Sequence, residues 1–126
     1  MAIELNTGQD IGFMTAAADL SAKQYFIVDV TADKQVNLAS SAGQAVMGVL
    51  QNDPASGAAA IVRTGGVSKV EVGTGGLSAG NLVQANANGE AIAAASGDYT
   101  VGICLIGAAA GEIATILVSP SAGQVN

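Results

Sequence analysis

The sequence has no histidine and no tryptophan, one cysteine, two prolines, four basic residues and four aromatic ones. Each shortage closes off a class of function. Without histidine the commonest general base and metal ligand is missing, and Ser-His-Asp and Cys-His arrangements go with it. A lone cysteine, Cys104, permits no internal disulfide and no cysteine cluster for zinc. Its neighbours Ile103, Leu105 and Ile106 mark it as a buried, inert thiol. Lys23, Lys34, Arg63 and Lys69 lie far apart against ten acidic residues. That balance argues against nucleic acid, where phosphate neutralisation supplies much of the affinity, and against an anionic membrane surface. No apolar run approaches the roughly 20 residues of a membrane span. Met1-Ala2-Ile3-Glu4-Leu5 lacks the basic-then-apolar pattern of a signal peptide, so a soluble chain made in the cytosol is expected.

What remains is an alphabet of small apolar residues. Half of the 126 residues are apolar, carried by alanine, valine, isoleucine and leucine, and 17 are glycine. Small side chains let backbones approach closely, while each glycine costs entropy on folding. The length allows one domain, or one domain and an arm. Such a core gains little per residue, so oligomerisation or docking would add stability.

From residue 25 onward, short β-rich runs alternate with turn signals. Strands are expected at 25–30, 35–38, 45–50, 59–63, 67–72, 81–84, 91–93, 99–106 and 112–118. Val67-Ser68-Lys69-Val70-Glu71-Val72 alternates apolar and polar almost perfectly, which suggests one wet face. Thr64-Gly65-Gly66, Gly73-Thr74-Gly75-Gly76 and Asn88-Gly89 read as turns, and Pro54 and Pro120 end strands. Helix signals are weak, with one turn at 16–20 and another at 77–79. The spacing predicts an all-β barrel or sandwich.

Residues 1–18 have no clean period but carry Ile3, Leu5, Ile11, Phe13 and Met14 among polar residues and glycines. Two readings stay open: the segment packs on its own domain, or it is an arm that docks on a neighbour. A β-domain over 19–118 and a tail over 119–126 follow. The domain halves, about 19–72 and 76–118, resemble each other. Leu20-Ser21-Ala22 recurs as Leu77-Ser78-Ala79, and Val46-Met47-Gly48-Val49 as Thr100-Val101-Gly102-Ile103. This suggests a duplicated three-stranded unit, each copy supplying half of a closed sheet without exposed edges.

No catalytic, metal or cofactor motif survives inspection. Glu4, Asp10, Asp19, Asp29, Asp33, Asp53, Glu71, Glu90, Asp98 and Glu112 are scattered, most of them in turns or on wet strand faces. The glycine cluster at 73–76 lacks the Lys-Ser/Thr ending of a phosphate loop. Asp29 to Asp33 lacks the glycine and the terminal glutamate of a calcium loop. Lys69 reads as a solvated lysine. The expectation is a non-enzyme without cofactor or small-molecule substrate; an enzyme or ligand carrier built from scattered carboxylates is the opposing class.

Asp19-Leu20-Ser21-Ala22-Lys23-Gln24-Tyr25, Gly48-Val49-Leu50-Gln51-Asn52, Pro54-Ala55-Ser56-Gly57, Gly66-Val67-Ser68-Lys69-Val70, Gly102-Ile103 and Gly111-Glu112 occur in that order. Together they resemble the capsid decoration (cement) proteins of tailed bacteriophages over about residues 19–118. The resemblance implies a small β-barrel or β-tulip-like domain preceded by an extended N-terminal arm. It implies a virion protein on the outer surface of the capsid, commonly a homotrimer, whose partner is the major capsid protein. Residues 1–18 would make the capsid contact, with Ile3, Leu5, Ile11, Phe13 and Met14 as anchors. The alternative is a structural β-module of a phage tail or fibre, or of a bacterial surface layer.

Overall fold

The computed structural model describes residues 8–120. Nine strands follow in order: β1 Gln9–Ala16, β2 Ile27–Ala32, β3 Gln35–Leu38, β4 Gly48–Leu50, β5 Ala59–Glu71, β6 Leu82–Ala85, β7 Ala91–Ala93, β8 Gly102–Ile106 and β9 Ile113–Val118. Branched side chains fill the inward positions, and glycine, asparagine and proline sit between strands. The class is all-β, and there is no helix among the described residues. The segments 16–20 and 77–79, expected as helical turns, form bends, turns and a bridge instead. Each carries too few residues to repay the entropy of starting a helix.

The strands form one sheet that closes on itself. Its order is β1-β3-β2-β4-β5-β9-β8-β6-β7, and β1 pairs back onto β5. A first ring therefore runs β1-β3-β2-β4-β5. A second runs β5-β9-β8-β6-β7 and is closed by a parallel bridge between Val72 and Ala91. The shared strand β5 is 13 residues long. Its first half pairs with β4 and β1, and its second half, from Gly66, pairs with β9. Gly65-Gly66 thus turns no corner. Gly66 has φ of 96° and faces the Gly8 backbone so closely that a Cβ there would meet the Gly8 Cα at 2.6 Å. Glycine lets one strand pass from ring to ring where the sequence suggested two strands and a turn.

The two rings repeat one pairing scheme. Val28↔Leu38 and Asp29↔Asn37 recur as Val83↔Ala93 and Gln84↔Ile92. Ile27↔Val49 recurs as Leu82↔Ile103, and Leu50↔Val62 as Cys104↔Ile116. Met14↔Ala60 recurs as Val70↔Ala114, and the parallel pair Ala16↔Val36 as Val72↔Ala91. Loop hydrogen bonds repeat as well. Leu20 N–H donates to the Pro54 carbonyl and Leu77 N–H to that of Ala108, both at 2.9 Å. The repeating unit has five strands, not three, and its first copy begins at β1. The divide falls inside β5, so the segments 19–72 and 76–118 do not match the units.

Interiors match in the same way. Met14, Ala16, Leu20, Val28, Val36, Leu50, Ala60 and Val62 pack together inside the first ring. Val70, Val72, Leu77, Val83, Ala91, Cys104, Ala114 and Ile116 belong to the second core. Each buried Val, Leu or Ile contributes roughly 1.5–3 kcal/mol. Ile27, Ala39 and Val49 of the first unit join the second unit's core, so the two rings pack as one body.

Candidate functional site

β1 is where the two readings of the N-terminal segment are decided for residues 9–16. It pairs antiparallel with β5 and parallel with β3, so Gln9–Ala16 is a strand of the domain itself. Its position is fixed by charge as well as by the ladder. The Arg63 side chain donates from Nε to Asp10 Oδ1 at 2.8 Å and from Nη2 to Asp10 Oδ2 at 3.2 Å. Arg63 Nη1 also donates to the Val67 carbonyl at 2.8 Å. The planar guanidinium suits this fork. The pair spans 53 positions, and no local pattern announces a contact of that separation.

The five candidate anchors separate on this strand. Ile3 and Leu5 lie outside the described residues. Met14 is buried in the first core, and Ile11 is half-buried against it. Both hold β1 onto its own domain and are spent there. Phe13 points the other way and is 64 % exposed. The register steps from Ile11↔Val62 to Met14↔Ala60, so Gly12 and Phe13 together stand opposite Ile61, itself an exposed residue. This bulge re-aims the ring outward. Among the other aromatics, Phe26 lies 4.8 Å from Lys23 Nζ and Tyr25 5.7 Å from Lys69 Nζ, so both are overlaid by a cation. Lys69, expected as a solvated lysine, thus covers an aromatic ring.

A second apolar surface was not singled out by the sequence. Leu82, Ile103 and Leu117 are consecutive cross-strand partners on β6, β8 and β9, and Val67 on β5 continues the row. Leu82 and Leu117 are exposed, and an open groove beside them is lined by Thr100, Gly102 and Pro120. Leu117 lies in the strand expected at 112–118, where its apolar neighbours give no sign of which face it takes. Only the alternation of β9, with Ala114 and Ile116 inward, points Leu117 out.

Among the described residues, the remaining acidic groups and the thiol do not gather into one site. Burial raises the Asp29 carboxyl, against a hydrogen bond from Gln44 Nε2 to Oδ2 that lowers it. Burial also raises Glu71, with the charge of Glu90 adding to it. Asp19 is lowered by hydrogen bonds from Ser21. Cys104 is buried and its thiol is pushed up by desolvation, which keeps it protonated. Among the described residues no three acidic or thiol side chains form a group able to hold a metal ion.

Two fused strand rings with outward apolar surfaces define a β structural module. A family model described as phage cement protein matches residues 5–120. The chain belongs to that family, whose members are structural proteins of the phage head. The fold is similar to the N-terminal base of the head fibre protein gp8.5 of bacteriophage phi29, with a TM-score of 0.70 and 15 % identity, covering 94 % of this chain and 99 % of that one. No curated protein matches the sequence.

Proposed function

We propose that this protein decorates the outer surface of a phage head and stabilises the shell by cementing major capsid subunits, acting as a homotrimer. The observation that supports this reading most directly is Phe13, a large exposed ring held on a pinned strand in a member of the cement family. Cementing asks for contact area repeated over many copies, and each docked copy stabilises the shell by mass action and multivalency. An aromatic side chain fixes only two torsions on binding for a large contact area, which suits it as an anchor. Residues 1–7, with Ile3 and Leu5, would extend the same contact by adding chain to a capsid sheet.

The test is co-sedimentation with expanded heads that lack the protein. Deleting residues 1–7 leaves β1 in place, and combined with Phe13→Ala it is expected to abolish binding. Full occupancy by the double variant would remove the N-terminal face from the account. The alternative, a module of a tail, fibre or surface layer, is separated by where density for the protein lies on the particle.

A further inference from the structure

Asp29 gives the first unit a charge that the second unit does without. The pairs Asp29↔Asn37 and Gln84↔Ile92 put Asp29 and Gln84 at one place in the repeat. Gln84 is 3 % exposed, and its Oε1 accepts the Ala95 N–H at 2.8 Å, which holds the loop after β7. The matching loop after β3 begins at Ser40, and a different residue holds it. Gln44 Oε1 accepts the N–H groups of Ser40 at 3.0 Å and Ser41 at 2.7 Å. Gln44 also donates from Nε2 to Asp29 Oδ2. Asp29 is thereby released from the work that Gln84 does.

The other carboxylate oxygen, Oδ1, is buried and meets no donor from another residue. A buried acceptor left without a donor costs about 1–3 kcal/mol, and more when it is charged. The second unit fills the same place with a neutral amide, so the fold does not require this charge. A charge kept at a cost, where folding does not use it, points to a partner. Asp29 also stands in the wall of an open groove of about 310 Å³, lined otherwise by Val30, Ala45, Val46 and Met47. Val30 is 56 % exposed there. The groove thus joins one acid to an apolar floor. That combination suits an alkyl chain ending in a single cation, with methylenes on the floor and the charged head at the carboxylate. A diamine fits less well, since the other four lining residues offer no acceptor side chain to a second ammonium. A bidentate guanidinium also fits less well, because Gln44 already engages Oδ2. The formal net charge of −6 favours a basic partner.

We propose that this groove receives a lysine side chain from a partner protein, with its ammonium donating to the Asp29 carboxylate and its stem lying on Val30, Val46 and Met47. The Cβ–Cγ torsion of an aspartate is soft, so a small turn of the carboxyl presents Oδ1 to the incoming donor. The bound lysine supplies the hydrogen bond that Oδ1 lacks within the chain. The inference names what the groove takes and does not rest on the capsid reading.

A chemical-shift titration of the whole protein at pH 7 tests it. The probes are a short blocked peptide with one central lysine, the same peptide with norleucine in its place, and putrescine. The lysine peptide is expected to move the amide signals of Val30, Val46 and Met47 saturably, and to bind about five- to tenfold tighter than the norleucine peptide. Asp29→Asn is expected to remove that preference in a protein whose spectrum shows it folded. Asp29→Gln, which carries the residue type of the second unit, takes its place if that variant does not fold. Added salt is expected to weaken the lysine peptide and leave the norleucine peptide unchanged. Equal binding of the two peptides, a preference that survives in a folded Asp29 variant, or tighter binding of putrescine than of the lysine peptide would overturn the proposal. So would the absence of any movement at Val30, Val46 and Met47.

Discussion

Arg63 reaches back to Asp10 with two nitrogens, and this fork ties the first strand to the strand shared by both rings. The Arg63 side chain is only 6 % exposed, so its charge depends on protein partners. Asp10→Asn keeps the shape and removes the counter-charge. It is expected to cost about 2 kcal/mol in urea unfolding, since a hydrogen bond to a charged group is lost and a buried charge is left less compensated. Faster amide exchange over residues 9–13 is expected with it. Unchanged stability would mean that the ladder alone holds β1.

Phe13 and Met14 are neighbours with opposite duties. Met14→Ala empties part of the first core and is expected to cost ~2–4 kcal/mol. Phe13→Ala removes an exposed ring and is expected to leave stability within about 0.5 kcal/mol while weakening head binding by at least ~10-fold. Measuring both properties on both variants separates folding from docking.

Gly48 and Gly102 hold equivalent places at the start of β4 and β8. A Cβ at Gly48 would land on the carbonyl oxygen of Arg63, and one at Gly102 on that of Leu117. Either change to alanine must push paired strands apart and is expected to cost more than about 3 kcal/mol. Gly57 and Gly111, at φ of 81° and 83° with open space around them, meet only the backbone penalty. Alanine there is expected to cost about 1 kcal/mol. Thermal melts of the four variants check the ranking.

Asp29 and Glu71 both have raised folded-state pKa values, chiefly through burial. An acid raised on folding binds protons more readily in the folded chain. Stability should therefore rise as pH falls from neutrality through those raised values, and the gain stops at the ordinary carboxylate range of the unfolded chain. Asp29→Asn removes its share of the slope. It is expected to gain stability at pH 7 relative to wild type, with the gain shrinking as the pH approaches 4. A variant less stable at pH 7 would show that the Gln44 contact outweighs the desolvation.

Much of the fold was legible because alternation and turn residues are local properties. The edges of β3, β7 and β9 follow Val36 and Leu38, Asn88-Gly89 and Pro120 closely. The repeat was visible in Leu20 and Leu77 and in Gly48 and Gly102. The unit's extent was not, because β1 earns its place through Asp10 and Met14, whose partners Arg63 and Ala60 are distant in sequence. β5 was divided for the same reason: Gly65-Gly66 reads as a turn unless one knows that Gly8 lies against it. The Leu82-Ile103-Leu117 row was not legible because the equivalent pair Ile27-Val49 is just as apolar yet fully buried, so residue type alone does not tell the exposed row from the covered one.

The proposed function requires this member of the cement family to bind the head. Saturation binding to expanded, undecorated heads, read by co-sedimentation, addresses it directly. Saturable binding at a fixed number of copies per head is expected, with bound heads opening at a higher temperature. Absence of the protein from the head pellet at saturating concentration would contradict it.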